Sequence, residues 1–353
     1  MNRTRTRLAV AYMCDSNYND LTLYSLSSLA RHHRTPLTFR FLQVGYHREV
    51  PAQVRAFVRA CGHTLVTESA PFEAVTAGPR RDASCHAHIT DTMYLKAAAI
   101  EALANDYDYV LYVDPDTLAF DDLHLESIAG FGELVAACPD LSIGTGFDDP
   151  AFFDNCRRSG LSPAFFNSGV LFVNARKWHE TRASDRYREA LDRHGAACPY
   201  FAACSPNYQC ALNMAVAGDW RRLPVAWNVQ KCAMHTRAWS TATLRHYTGR
   251  RKFLPIRRRT CDPREYALLR AINRETGLPL AHGPYDFGLS YSLNFMRRAH
   301  QVRKYEKAIA DLEQGPSQSV PRSVLFATLG ARRPKSMYAG AAQPPARSTT
   351  TTG

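Results

Sequence analysis

The strongest constraint in this sequence is an apolar strand that runs without a break into two carboxylates. Tyr109 to Val113 is followed at once by Asp114-Pro115-Asp116. A strand without polar alternation is read as buried on both faces, as in a parallel sheet covered by helices. Upstream, strand and helix patterns alternate. Arg7 to Cys14 reads as a strand, Leu21 to His33 as a helix, Leu37 to Val44 as a strand and Val50 to Cys61 as a helix. Thr64 to Thr67 reads as a short strand and Tyr94 to Asn105 as a helix. This alternation predicts an α/β domain with a mainly parallel sheet. Strands are expected again at Leu134 to Cys138, Gly169 to Val173 and Trp220 to Leu223. Helices are expected at Arg176 to Arg193, Tyr208 to Ala217 and Ser290 to Glu313.

In an open parallel sheet, ligands bind beyond the carboxyl ends of the strands. Asp114 and Asp116 sit there. Carboxylate oxygens suit a hard cation such as Mn²⁺ or Mg²⁺, and such an ion can bridge diphosphate oxygens. The residues alone leave a second reading, an Asp-rich turn. Asp121 and Asp122 read as solvated loop residues or a helix cap. In His246-Tyr-Thr-Gly-Arg-Arg-Lys252, His246 offers a nitrogen ligand, Gly249 offers close backbone approach to phosphate, and Lys252 offers a point charge. Taken alone, that stretch reads as a basic loop. Phe166-Asn-Ser-Gly-Val170 places Asn167 and Ser168 before a strand, as an ordinary turn or as partners for sugar hydroxyls.

Seven pieces in this order resemble the family 8 retaining glycosyltransferases, which include bacterial lipopolysaccharide galactosyl- and glucosyltransferases and glycogenin. They are Asp15-Ser-Asn-Tyr18, a Tyr94-x-Lys96 helix, the strand with Asp114-x-Asp116, the Phe166-Asn-Ser-Gly-Val170 strand, Gln209-x-x-Leu-Asn213, Leu223-Pro-x-x-Trp-Asn228, and His246-x-x-Gly-x-x-Lys252. The resemblance spans roughly residues 7 to 255. It implies the GT-A nucleotide-diphospho-sugar transferase fold over residues 1–256, with a mixed, mainly parallel central sheet. A basic helical C-terminal region over 257–335 and a disordered tail over 336–353 follow.

The resemblance implies the following roles. Asp15, Asn17 and Tyr18 match the uridine loop, with Tyr18 stacking on the base. Lys96 matches a basic residue near sugar and phosphates. Asp114, Asp116 and His246 match the metal ligands. Asp140, in Cys138-Pro-Asp140, matches a donor-sugar aspartate. Asn167 and Ser168 match donor-sugar contacts, Gln209 the glutamine near the reacting carbon, and Gly249 and Lys252 the diphosphate contacts. The implied reaction is Mn²⁺- or Mg²⁺-dependent transfer of galactose or glucose from a UDP-hexose to a glycan or glycolipid acceptor, with net retention. Gln209, Asp140 and Lys252 carry the catalytic expectation.

Two departures stand out. Tyr208 replaces a carboxylate the family often has before Gln209, and tyrosine is neutral at neutral pH without a large shift. That role then moves elsewhere, for instance to Asp140, or sugar specificity changes. The usual Lys-Pro-Trp ending is replaced by Lys252-Phe-Leu-Pro255. A non-catalytic nucleotide-sugar-binding relative is the alternative reading.

The ten cysteines, at 14, 61, 85, 138, 156, 198, 204, 210, 232 and 261, are scattered, and several sit in apolar runs. They are read as buried thiols in a reducing compartment. The spacing of Cys198, Cys204 and Cys210 is wider than that of usual zinc sites, and Cys210 reads as core. His86 and His88 read as a polar loop or part of a lid. The apolar run from Leu8 to Met13 is too short for a signal peptide, so a cytoplasmic location is expected. The formal charge is +12, and from Arg257 onward 16 Lys+Arg face 7 Asp+Glu, a balance of +9. Such a basic tail is read as a solvated surface or as a peripheral contact with anionic lipid at the inner membrane face. Nucleic acid is not expected, because no recognition motif accompanies the charge.

Overall fold

A computed structural model of the chain describes residues 6–70, 92, 95–142, 151–196, 198–201, 207–257, 259–283 and 291–314. The expectations for Cys85, His86, His88, Cys204 and the tail 336–353 lie outside these residues.

The N-terminal half follows the strand–helix alternation. Strand β1 (Leu8–Cys14) leads to helix α1 (Asn19–His32), β2 (Thr38–Val44), α2 (Ala52–Ala60) and β3 (Thr64–Ala70). Next come α3 (Lys96–Leu103), β4 (Tyr109–Val113) and the short β5 (Thr117–Ala119). Val10, Ala11, Tyr12, Val110, Leu111, Tyr112 and Val113 are fully buried, as strands covered on both faces must be. The chain then passes through α4 (Leu125–Ile128), β6 (Val135–Pro139), α5 (Phe152–Ser159) and β7 (Phe166–Asn174). It continues through α6 (Ala175–Glu180), α7 (Ala183–Ala196), α8 (Asn207–Val216), β8 (Trp220–Arg222), β9 (Val229–Gln230), α9 (Arg237–Ser240) and β10 (Leu244–His246). Helices α10 (Pro263–Thr276) and α11 (Tyr291–Gln314) end the described chain.

The main sheet has the order β3-β2-β1-β4-β7-β6-β8. Its β3-β2-β1-β4 half is parallel, and β7 runs antiparallel to both neighbours. A second sheet, β5-β10-β9, stands beyond the end of β4. The sheet is thus mixed and mainly parallel. Its small companion has strands of two or three residues, too short for any periodicity to show.

Two sequence expectations need correction. The single helix expected over Arg176 to Arg193 is two helices. Asn174 caps the first through Lys177 N at 3.1 Å, and Arg182 adopts a left-handed conformation (φ 51°) that ends it. Asp122, expected as a solvated loop residue or a helix cap, is buried just before α4. It accepts hydrogen bonds from His33 Nδ1 at 2.8 Å and from His124 N at 2.9 Å. Asp121 is exposed.

The C-terminal helices pack onto the same core as the first sheet. Leu268, Leu269, Ile272, Tyr305, Ile309 and Leu312 join the apolar cluster that holds Val10, Tyr12, Leu111 and Val113. Helix α10 carries the signals that set its limits. Asp262 caps it through Glu265 N at 2.9 Å, Pro263 occupies the first turn, and Gly277 closes it at φ 69°. If α11 is an integral part of the packing, Ile309→Ala should cost roughly 2–4 kcal/mol of unfolding free energy. Urea denaturation of the purified chain measures this; a loss under about 0.5 kcal/mol would mean α11 sits loosely on the core.

Candidate functional site

Strand directions bring four distant segments to one edge of the sheet. Because β4 and β7 are antiparallel with Val113 opposite Val170, the start of β7 lies beside the residues that leave β4. Asp114 N donates to Gly169 O at 2.7 Å. The next turn is fixed from the other side, where Tyr247 N donates to Asp116 O at 2.8 Å and His246 pairs with Thr117. The Asp114-Pro115-Asp116 turn is therefore held between β7 and β10, and His246 faces it.

The result is a compact set of charges. His246 Nε2 lies 3.2 Å from Asp116 Oδ1 and 3.8 Å from Asp114 Oδ2. Each of Asp114, Asp116 and His246 offers one ligand atom, and these atoms lie within 4.8 Å of one another. All three residues are buried. His246 Nδ1 is 3.1 Å from Asn167 Oδ1 and 3.1 Å from Asn228 Oδ1. Two amide carbonyl oxygens hold Nδ1, and this turns Nε2 toward the carboxylates. A metal-ligating imidazole is oriented through its second nitrogen in this way.

Gly169 makes the convergence possible. A Cβ there would stand 2.1 Å from His246 Cε1, 2.7 Å from its Nδ1 and 2.9 Å from Asp114 Oδ2. Any side chain would force the imidazole off the carboxylates. Lys96 Nζ spans the Asp114 carboxylate, 2.8 Å from Oδ1 and 3.1 Å from Oδ2. Two buried carboxylates and an imidazole nitrogen within 4.8 Å of one another are a donor set that fits a divalent cation.

Two lysines balance the two aspartates. Lys96 is buried between Asp114 and the Ser168 carbonyl, which its Nζ reaches at 3.0 Å. Lys252 Nζ donates to Asp116 and lies 5.9 Å above the Tyr18 ring. Burial alone would raise the Asp116 carboxyl, yet Lys252 and His246 hold it well below the usual carboxylate range. Burial likewise pulls Lys252 down, but Asp116 outweighs it and keeps the ammonium above its ordinary value. Lys231 stands near both, and burial with the Lys252 charge brings its ammonium down to about 8.

A hydrogen-bonded network around the Asp140 side chain adjoins this set. Asp140 Oδ2 accepts from Asn167 Nδ2 at 3.0 Å and Gln209 Nε2 at 3.1 Å. Gln209 Oε1 accepts from Ser168 N at 3.0 Å. Asn167, Ser168, Asp140 and Gln209 are thus brought together within one hydrogen-bonded cluster. Tyr208 lies with its ring 5.3 Å from Lys96 Nζ. Burial and then the Asp114 and Asp116 charges push its phenol well above the ordinary tyrosine value, so it is neutral at physiological pH.

Not every expected residue enters the cluster. Asp15 caps its own turn through Asn17 N at 2.9 Å, and Asn17 is exposed. Gly249 is exposed in a left-handed turn (φ 79°) with open space around it. These three flank the site, at the end of β1 and after β10. Sequence reasoning assigned no role to Asn228 or Arg245. Asn228 lay within the Leu-Pro-x-x-Trp-Asn motif and is fully buried against His246. Arg245 is buried beside His246, bonded to Asp262 Oδ2 at 2.7 Å and stacked 4.3 Å over Phe120, so it anchors the strand that presents the imidazole.

A family model described as glycosyl transferase family 8 matches residues 9–253. The chain belongs to glycosyl transferase family 8. It is a glycosyltransferase. Among solved structures, an active-site mutant of LgtC is 21% identical, with a TM-score of 0.60, covering 75% of this chain and 95% of that one. The galactosyltransferase LgtC in complex with donor and acceptor sugar analogues is 22% identical, with a TM-score of 0.57, covering 78% and 97%. The bifunctional glycosyltransferase WbbM is 17% identical, with a TM-score of 0.55, covering 77% of this chain and 50% of that one. Comparison with curated proteins finds no match. The shared architecture is the GT-A fold.

Gly169→Ala separates the site from the fold. The added methyl displaces His246 but leaves the β4–β7 pairing in place, so Mn²⁺ affinity should fall by roughly 10- to 100-fold, as for other disturbed supporting contacts. Calorimetric titration of Mn²⁺ into the variant measures it; affinity within twofold of wild type would contradict this reading of Gly169.

Proposed function

We propose that the chain moves galactose or glucose from a UDP-hexose to a hydroxyl of a glycan or glycolipid acceptor, with retention of anomeric configuration. The observation that carries this reading is the convergence of Asp114, Asp116 and His246 beside two lysines. These three residues would hold a divalent cation, and two oxygens with one nitrogen favour Mn²⁺ over Mg²⁺. When bound, that cation neutralises charge on the diphosphate.

The chain's own groups then have separable tasks. Lys252 leaves Asp116 for the diphosphate and holds it as negative charge builds on the leaving nucleotide. Lys96 pairs with the Asp114 carboxylate and fixes it in place. Tyr18 supplies a ring for the base at the end of β1, beside Asp15 and Asn17, and Gly249 offers its backbone to phosphate. Asp140, Asn167, Ser168 and Gln209 form a polar floor on which sugar hydroxyls exchange hydrogen bonds. Neutral Tyr208 supplies neither an anionic base nor a nucleophile. Asp140 has both its oxygens engaged with Asn167, Gln209 and Ser142 N. The acceptor hydroxyl therefore attacks from the same face as the departing diphosphate, whose oxygen takes the proton.

The charge count adds a testable coupling. Two lysines already neutralise two aspartates, so an arriving divalent cation leaves a surplus of two positive charges in a buried site. A diphosphate removes that surplus. Mn²⁺ affinity should therefore rise at least about 10-fold when UDP is present, and UDP affinity should rise equally with Mn²⁺. Independent binding of the two would count against a shared site. In a UDP-sugar hydrolysis assay with Mn²⁺, Asp116→Asn should lose at least about 100-fold in kcat. Residual activity near wild type would remove Asp116 from the reaction.

A membrane-carried acceptor is supported by α11. Leu293, Phe295 and Met296 are exposed at its start, with Arg297, Arg303, Lys304 and Lys307 exposed along it. Apolar side chains flanked by basic ones suit an anionic lipid surface, and in this reading the enzyme works peripherally at the cytoplasmic face on a lipopolysaccharide-type acceptor in glycolipid assembly. No described helix is long and apolar enough to cross a membrane. The double variant Arg303→Glu, Lys304→Glu should lose binding to vesicles containing anionic lipid in a flotation assay; retained binding refutes this contact.

A further inference from the structure

Away from the carboxylate site, helices α7 and α8 pack along one another, and a second set of ligand-type side chains gathers where they meet. His194 lies near the end of α7, Cys198 just after it and Cys210 in α8. The imidazole nitrogen and the two sulfurs all lie within 4.8 Å of one another. The two Sγ atoms are 3.9 Å apart. His194 and Cys210 are buried, and Cys198 is half-buried.

We propose that His194, Cys198 and Cys210 form a soft-metal site that takes Zn²⁺ through one imidazole nitrogen and two thiolates. Geometry supports it first. Sulfurs bound tetrahedrally to zinc at about 2.3 Å stand about 3.8 Å apart, so the observed 3.9 Å needs little movement.

Charge supports it second. The surroundings are apolar and aromatic, with Phe152, Phe165, Tyr200 and Phe201 packed around Cys210. As the cation enters, each thiol releases its proton to solvent. Two thiolates and a neutral imidazole then make the site electrically neutral around a divalent ion, which lowers the cost of burial. Water completes the fourth position, as in other sites with three protein ligands.

Chemistry also keeps the two sites apart. Thiolates select soft or borderline cations, whereas the Asp114, Asp116 and His246 set favours a harder one. The soft site has a structural consequence, because Cys210 directly follows Gln209. The cation ties the end of α7 to the helix that presents Gln209 to Asp140 and Ser168.

Co²⁺ titration of the reduced full chain tests this, because cobalt bound by thiolates absorbs in the near ultraviolet through sulfur-to-metal charge transfer, and cobalt bound only by carboxylates and imidazole does not. The expected result is a charge-transfer band that saturates at one equivalent and is bleached by Zn²⁺. Cys198→Ser should reduce its amplitude by about half. Absence of the band from the folded wild type, or an undiminished band in Cys198→Ser, would overturn the proposal. If Cys198→Ser does not fold, His194→Gln serves instead. It keeps both sulfurs and the band, and cobalt affinity should fall roughly 10-fold or more; unchanged affinity also overturns the site.

Discussion

The site depends on how closely two antiparallel strands approach where β4 gives way to Asp114. Asp114 N bonds to the Gly169 carbonyl, and the absence of a side chain at Gly169 leaves the space in which His246 meets Asp114. Everything charged in the site is arranged around that contact. The parallel half of the sheet delivers the carboxylates, the reversed strand β7 delivers Asn167 and Ser168, and the small second sheet delivers His246. Were β7 parallel, its first residues would lie at the opposite end of the sheet.

The same arrangement explains the division of chemistry inside the site. One side is ionic, with Lys96 and Lys252 set against Asp114 and Asp116. The other is a hydrogen-bonded network in which the Asn167 and Gln209 amides donate to the Asp140 side chain and Asn167 also donates to Gln209. A buried network in which each group has a partner is rigid, and rigid donors stabilise developing charge without reorganising. Asn167 joins the two sides, because its Nδ2 faces Asp140 while its Oδ1 accepts from Gly169 N and Asn228 Nδ2 and faces His246.

Much of this was legible in the sequence, for physical reasons. Buried strands such as Val110 to Val113 show as unbroken apolar runs, so the parallel half of the sheet and the position of Asp114 at its edge could be read directly. The antiparallel insertion of β7 could not, since strand direction is set by long-range pairing and leaves no local pattern. Strands β5, β9 and β10 have two or three residues each, which is below any period. The helix break at Arg182 was hidden because arginine carries no turn signal, whereas the Asp-Pro start and Gly end of α10 were present and unused. Asn228 showed only as the end of the Leu223-to-Asn228 motif, with nothing to say that it meets His246, and Arg245 acts through buried contacts that a single arginine does not signal. The wide spacing of Cys198 and Cys210 argued against a shared metal, but helix packing brings together what the spacing separates.

The turn after β4 and the histidine of β10 are proposed to hold one divalent cation jointly. Crystals soaked with Mn²⁺ and UDP, measured at an energy where manganese scatters anomalously, test it most directly. The expected result is a single anomalous peak about 2.2 Å from a carboxylate oxygen of Asp114, a carboxylate oxygen of Asp116 and Nε2 of His246, with diphosphate oxygens completing its shell. A peak bound elsewhere, or one that leaves His246 Nε2 out of its coordination, would contradict it.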